Sequence, residues 1–270
     1  MGIEFRNVSK TYPDGTVAVS GFSFDVPSHR TVALVGSSGS GKTTLLRMVN
    51  RMVEPTEGSV LIDDRDVHEL DRVSLRRRIG YVPQAGGLLP HRTVRDNIAT
   101  VPVLNGVPRK AARVAADDLL DLVGLERSLS VRYPAQLSGG QQQRVAVARA
   151  LAADPNILLM DEPFGAVDPI VRRELQDQLL GLQGELRKTI IIVTHDIDEA
   201  FRVADDVVVL RKGGVIAQSG SPQEILATPA DAFVGQFVGA DRSDRTLRRV
   251  TVDGTELIVD ADDRPLGVLR

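Results

Sequence analysis

The chain has 270 residues, 33 Lys+Arg against 36 Asp+Glu for a net charge of −3, 42% hydrophobic and 26% charged residues, and no cysteine. That length suits one large α/β domain, alone or with a small appendage, and the composition is that of a globular protein. A mildly acidic chain argues against a nucleic-acid binder, which needs a basic surface to meet phosphates, and the missing cysteines exclude disulfides and thiolate metal sites.

Residues 3–8 and 17–26 predict short strands joined by a turn at Pro13-Asp14-Gly15. Thr31 to Val35 predicts a buried strand that runs into a glycine-rich loop at 36–41, followed by a helix from Lys42 to about Val53. Ser59–Ile62 and Ile79–Val82 predict further strands. Residues 84–150 change character: a Gly/Pro-rich loop from Gln84 to His91 precedes helical periodicity at 109–123 and 139–153, read as a helical insert. Alternation then returns, with strands at Ile157–Met160, Thr189–Thr194 and Val207–Leu210 and helices at 169–187 and 196–203. Alternating strands and helices imply a parallel sheet covered on both faces. Residues 222–238 predict one more helix. From Asp241 the composition shifts, with 13 of the last 30 residues charged and strand-like pieces at Leu247–Val252 and Leu257–Val259.

No stretch reaches the ~20 apolar residues that span a bilayer, and Met1 to Lys10 has no apolar run like that of a signal peptide. The expectation is a chain that works in the cytoplasm and meets a membrane only by docking to another chain. His29, His68 and His91 have no partners at metal-ligand spacing and are read as surface or loop residues. Arg76-Arg77-Arg78 is read as a solvated helix face.

The chemistry sits in three motifs. Gly36-Ser37-Ser38-Gly39-Ser40-Gly41-Lys42-Thr43 fits the phosphate-binding pattern G-x-x-x-x-G-K-[ST], between a predicted strand and a predicted helix as the mechanism requires. Glycines let backbone N–H groups turn toward phosphate oxygens, Lys42 supplies a charge to the β/γ-phosphates, and Thr43 offers a hydroxyl to Mg²⁺. Ile157 to Glu162 is an apolar strand ending in two carboxylates. Asp161 is placed to hold the shell of a Mg²⁺ ion and Glu162 to orient or activate a water, although Asp-Glu before Pro163 also reads as an acidic helix cap. Leu137-Ser138-Gly139-Gly140-Gln141 precedes a helix rich in Ala and Arg, and Ser138 alone reads as a helix cap.

These motifs, in this order, resemble the ATP-binding cassette (ABC) ATPases, and the resemblance covers roughly residues 2–240. It implies an α/β phosphate-loop NTPase fold: a RecA-like parallel-sheet core, an N-terminal antiparallel β subdomain, and a helical subdomain inserted at about 85–150. It implies that Tyr12 stacks on adenine and that Gly36 through Thr44, Thr44 included, bind ATP. Thr43, Gln84 and Asp161 would hold Mg²⁺, with Gln84 linking that site to the helical insert. Glu162, His195, Gln84 and Lys42 would carry catalysis, His195 contacting the γ-phosphate. Leu137 to Gln141 would reach ATP on a second copy of the chain, with Ser138 and Gly140 at its γ-phosphate, and Asp168 would lie in a loop at the dimer seam. Val167 departs from the leucine that often precedes that aspartate.

Four softer stretches, Met48 to Gly58, Gly87 to Val94, Asp168-Pro169-Ile170 and Phe237 to Arg242, look like the cassettes of osmoprotectant importers, which take up glycine betaine, choline or related quaternary amines. Methionine-type amino-acid importers share parts of them and stay open as an alternative. An exporter subunit is a weaker reading because those stretches argue against it, and a non-transport cassette acting on DNA or ribosomes is weaker because such proteins usually carry a long coiled coil or two fused cassettes and this chain has neither. The implied partners are a second copy, transmembrane permease subunits and, indirectly, an extracytoplasmic substrate-binding protein, with the chain peripheral at the cytoplasmic membrane face. Many cassettes of that subgroup continue into paired CBS domains, whereas this chain ends at Arg270. The tail, 241–270, is read as a remnant or shortened variant, Asp262 to Leu269 resembling a fragment of a CBS strand. Sensing through such domains is therefore not expected.

Overall fold

The hydrophobic pattern begins as strand alternation. Ile3–Thr11 (β1) and Val17–Val26 (β2) pair antiparallel, Ile3 opposite Val26 and Phe5 opposite Phe24. Thr31–Gly36 (β3), buried at every position, then feeds Lys42–Val49 (α1). Glu57–Ile62 (β4) and Arg65–Asp66 (β5) return to the first sheet, whose order is β2-β1-β4-β5, antiparallel at each pairing. Arg72–Arg78 (α2) leads into Ile79–Val82 (β6). The computed structural model describes residues 1–84, 86–165, 167–239, 247–252, 255–259 and 265–268.

Helices fill the next stretch: Val94–Ile98 (α3), Thr100–Leu104 (α4), Arg109–Leu122 (α5) and Gly139–Leu151 (α6). Strands and helices then alternate as Ile157–Asp161 (β7), Pro169–Leu186 (α7), Thr189–Thr194 (β8), Ile197–Val203 (α8) and Asp206–Arg211 (β9). Val215–Gly220 (β10), Pro222–Ala227 (α9) and Ala232–Val238 (α10) follow. The second sheet runs β10-β9-β3-β8-β7-β6, with β10 an antiparallel edge and the other pairings parallel. Arg248–Val252 (β11), Thr255–Val259 (β12) and Pro265–Val268 (β13) form a separate antiparallel sheet.

Period-two alternation explains why the parallel strands read as unbroken apolar runs. Leu34, Leu159, Ile191 and Leu210 face one core, shared with Leu45, Leu46 and the first sheet's Phe5 and Phe22. Leu158, Met160, Ile190 and Ile192 face the opposite side, against Leu175, Leu179 and Leu182 of α7. Ala33, Val35, Val207 and Val209 meet α8, α9 and α10 instead. The helical segment has its own core around Ile98, Leu120 and Val145. Truncating a strand residue such as the fully buried Leu159 to Ala would cost about 2–5 kcal/mol, because neither face can relax into the space.

The expected parallel sheet, antiparallel subdomain and helical insert are all present, with three local differences. Helix α1 stops at Val49 rather than near Val53, because Asn50 caps it and Arg51 turns left-handed at φ 55. The expected helix at 222–238 is two helices broken at Thr228, since Pro229 disfavours helical backbone before it. Arg76 and Arg78 are exposed, as expected of a solvated face, but the Arg76 guanidinium also donates to the carbonyls of Asn50 (3.1 Å) and Arg51 (2.6 Å) at the end of α1, and Arg77 donates to Leu104 O at 2.8 Å. Residues 240–242 of the Phe237 to Arg242 stretch, and 262–264 and 269 of the CBS-like segment, lie outside the described residues.

Candidate functional site

The carboxyl ends of parallel strands are where open α/β sheets bind ligands, because the chain leaves the sheet there as loops. Gly36 ends β3, Asp161 ends β7 and Thr194 ends β8, and these three strands are neighbours. The loop from Gly36 to Gly41 is glycine-dependent by contact as well as by conformation. A Cβ on Gly36 would lie 2.4 Å from Leu210 O, and one on Gly41, at φ +90, 2.5 Å from Ala18 O. Gly41 stands at the N-cap of α1, which has no side-chain cap and no acidic residue in its first turn. The amides of that turn therefore remain available for an anion.

Lys42 folds back over the loop. Its Nζ donates to Gly36 O at 2.8 Å, Ser37 O at 2.9 Å and Ser40 Oγ at 3.3 Å, and the residue is 7% exposed. Burial lowers the Lys42 pKa below the usual ammonium range, against the opposing pull of Glu162 and Asp161. A cation desolvated in this way favours an incoming polyanion. Thr43 Oγ1 donates to Asp161 Oδ1 at 2.8 Å. Asp161, 1% exposed, also faces Arg47 Nη2 at 3.3 Å and Tyr81 OH at 3.4 Å. Burial pushes the Tyr81 phenol pKa up, so it stays a neutral donor. Tyr12 lies just past β1, its OH 3.4 Å from Thr44 Oγ1 and its ring under Lys10 Nζ at 5.5 Å from the centroid.

Glu162 follows β7 in a left-handed conformation, φ 47, fixed by its N–H to Val193 O at 2.8 Å. Such backbone in a non-glycine residue costs on the order of 1–2 kcal/mol and persists where the surroundings over-determine it. Here it aims the carboxylate between two partners. Gln84 Nε2 donates to Oε2 at 2.7 Å, and His195 Nδ1 lies 3.4 Å from Oε1. The structure thus brings Gln84, Glu162 and His195 together beside the glycine loop. Gln84 bonds to Glu162 rather than to Asp161.

The Leu137 to Gln141 segment is built differently. Ser138 caps α6 through Gln141 N (3.2 Å), and Gln141 Oε1 accepts from Ser138 N at 3.0 Å. Leu137 is buried in the helical core, and Gly140 packs on α7, where a Cβ would meet Val171 Cγ1 at 2.5 Å. Ser138 and Gly139 face outward. The hydrogen bonds of this turn run within residues 133–142, not to the glycine loop. Asp168 caps α7, accepting from Ile170 N and Val171 N at 3.1 Å each, with Ile170 75% exposed.

Three contributors escaped the sequence reading. Arg47 lies one turn past Thr43, a spacing that could have suggested a shared target. Tyr81 was hidden inside a strand run. Arg149, near the end of α6, donates to Gly87 O (2.6 Å) and Gly86 O (2.9 Å), tying the loop after Gln84 to that helix. Burial lowers the Arg149 pKa.

A glycine loop between a central parallel strand and an uncapped helix, with a strand-end carboxylate bonded to the loop's threonine, defines a phosphate-loop nucleotide-binding protein. A sequence profile for the ABC transporter family matches residues 19–165. The carnitine transport ATP-binding protein OpuCA of Listeria monocytogenes is 50% identical over 240 residues, 89% of this chain and 60% of that protein. The glycine betaine uptake system ATP-binding protein YehX of Escherichia coli is 45% identical, covering 98% of this chain and 85% of that protein. The ATP-binding cassette MJ0796, solved as a dimer in a post-hydrolysis state with ADP and Pi, superposes with a TM-score of 0.74 at 34% identity, covering 82% of this chain and 98% of that one. This chain belongs to the ABC transporter family. It spans about 60% of the length of the Listeria relative.

Proposed function

We propose that this chain is an ATP-hydrolysing subunit of an importer, that two copies close head to tail over two ATP molecules, and that hydrolysis energises uptake of a quaternary-amine osmoprotectant. The observation that carries the enzymatic part is Glu162, held in strained backbone between Gln84 and His195 beside the phosphate loop. The loop amides and Lys42 bind the phosphates, and Tyr12 supports the adenine. Glu162 takes the proton of the attacking water, His195 steadies the γ-phosphate and the carboxylate, and Gln84 orients Glu162. Ser138 and Gly140 of the second copy complete the γ-phosphate contacts, with Asp168 at the seam. The outward-facing Ser138 turn, whose own hydrogen bonds do not reach the loop of its chain, supports that sharing.

The residues fit a Mg²⁺ ion. Thr43 and the buried Asp161 offer hard oxygens, with Gln84 nearby through Glu162. Among the described residues no cluster of His, Cys, Asp or Glu could hold a metal unaided, which suits an ion completed by phosphates and waters. Bound there, Mg²⁺ would neutralise charge on the β- and γ-phosphates.

No helix among the described residues is long and apolar enough to cross a membrane, so permease subunits would hold the chain at the cytoplasmic face. A cleft of about 290 Å³ beside the loop after Gln84, lined by Tyr81, Leu89, Val101 and Arg149 among others, suits such a partner. The solute class rests on relatives named for carnitine and glycine betaine transport. A quaternary ammonium is normally held by an aromatic cage, and a chain with no Trp, 3 Tyr and 7 Phe, of which Phe5 and Phe22 are core, is poorly equipped to build one. An extracytoplasmic binding protein would supply it. ATP-driven uptake by the reconstituted complex tests the reading with labelled glycine betaine, choline, methionine and polyamine. Quaternary-amine uptake is expected, and methionine or polyamine uptake without it would overturn the solute assignment.

A further inference from the structure

The geometry points to Arg172 and Glu199 as a positioning pair that ties the seam loop at Asp168 to the backbone carrying His195. This rests on the proposed roles of Glu162 and His195 in hydrolysis. Arg172 sits one turn into α7, its N–H bonded to Asp168 O at 2.8 Å. Its guanidinium reaches in three directions. Nη2 lies 3.5 Å from Val167 O in the seam loop, Nη1 lies 3.4 Å from Glu199 Oε1, and Nη1 lies 3.7 Å from Asp196 Oδ2. Its Nε is buried without a partner, so these contacts are the ones that hold the group.

Glu199 passes the connection on. Its side chain is 7% exposed, and its second oxygen accepts from Thr194 Oγ1 at 2.6 Å. Thr194 Oγ1 in turn accepts from Asp196 N at 3.1 Å. The residues on either side of His195 are therefore both wired to one arginine of the seam helix, and His195 Nδ1 is 3.4 Å from Glu162 Oε1. Burial raises the Glu199 pKa, and the Thr194 hydrogen bond and then the Arg172 charge oppose that shift. A shift of Asp168 as a second copy closes or leaves would move Arg172, and with it the anchor of His195.

A clamp serving only to hold α7 on α8 would affect melting temperature and leave turnover alone, so the test reads kinetics. In the full chain, Arg172→Gln and Glu199→Gln are expected to lower ATPase kcat about tenfold or more with KM for ATP unchanged, within the roughly 5–150-fold range of coupling between sites. The Gln at 199 still accepts from Thr194, so only the charge contact is lost. The double variant should fall no further than the worse single, because Arg172→Gln already removes the charge contact that Glu199→Gln breaks. Arg172→Lys, which keeps a cation but cannot span Val167, Asp196 and Glu199, should be intermediate, and it carries the test should Arg172→Gln not fold. Parental kcat in these variants beside an inactive Glu162→Gln would overturn the pair, as would additive losses in the double variant. Parental turnover in Glu162→Gln would overturn the site reading and the pair with it.

Discussion

Replacing Glu162 with Gln removes a proton acceptor and a charge while keeping size and shape. The backbone at φ 47 is equally strained in either residue, and its N–H bond to Val193 O stays. The side-chain amide can still meet Gln84. Stability should therefore change by no more than about 0.5 kcal/mol, as for substitutions that create no cavity or buried charge. Turnover should fall ~10²–10⁴-fold, the usual worth of a positioned base, equivalent to about 3–5 kcal/mol of transition-state stabilisation. ATP affinity should hold or tighten, because a negative charge close to Lys42 has been removed from beside the phosphates. Steady-state phosphate release, equilibrium ATP binding and thermal melting on one preparation separate these effects. Parental phosphate release would refute the base assignment. Lost ATP binding would refute the claim that Glu162 acts on chemistry alone.

Lys42→Ala should weaken ATP binding roughly 10–150-fold, the worth of one charge-assisted hydrogen bond at about 1.5–3 kcal/mol, while the fold survives because burial already works against that charge. Loss of the ATP-induced rise in melting temperature reports it, and an undiminished rise would contradict it. The Asp96 carboxyl is held at about 2 by its paired bonds to Arg113, with Arg109 adding to them. A depressed carboxylate stabilises fully above its unfolded value near ~3.9, and that contribution is lost as pH falls toward 2. Arg113→Met should return Asp96 toward the ordinary range and flatten that part of the stability profile, read by carboxyl NMR titration and denaturant melts. An Asp96 that titrates at the ordinary value in the parent would contradict it.

Local rules made the core legible. Thr31 to Val35, Ile157 to Met160 and Thr189 to Thr194 are apolar but for their terminal threonines and buried at every position, as strands covered on both faces must be, and the phosphate loop between strand and helix followed from spacing. What stayed hidden depended on tertiary contact. The bonds of Arg76 were not legible because nothing in Arg76-Arg77-Arg78 reveals that the end of α1 comes to meet this exposed side chain. Edge strand β10, half-exposed and only partly apolar, carried a weak pattern even with Gly213 and Gly214 marking its turn. The Gln84, Glu162 and His195 grouping joins three loops far apart in sequence, so it rested on resemblance until the strand order placed their ends side by side.

The central claim is that the hydrolytic site is shared between two copies, and sedimentation of the Glu162→Gln protein with and without MgATP tests it most directly. A nucleotide that is bound but not cleaved should hold the closed pair, so the protein should sediment as a dimer with ATP and as a monomer without it. Adding Ser138→Arg to that background should restore the monomer, because a long cation replaces the outward-facing hydroxyl at the capped turn of α6. A Glu162→Gln chain that binds ATP yet stays monomeric at saturation, with its permease partner present or absent, would contradict the account.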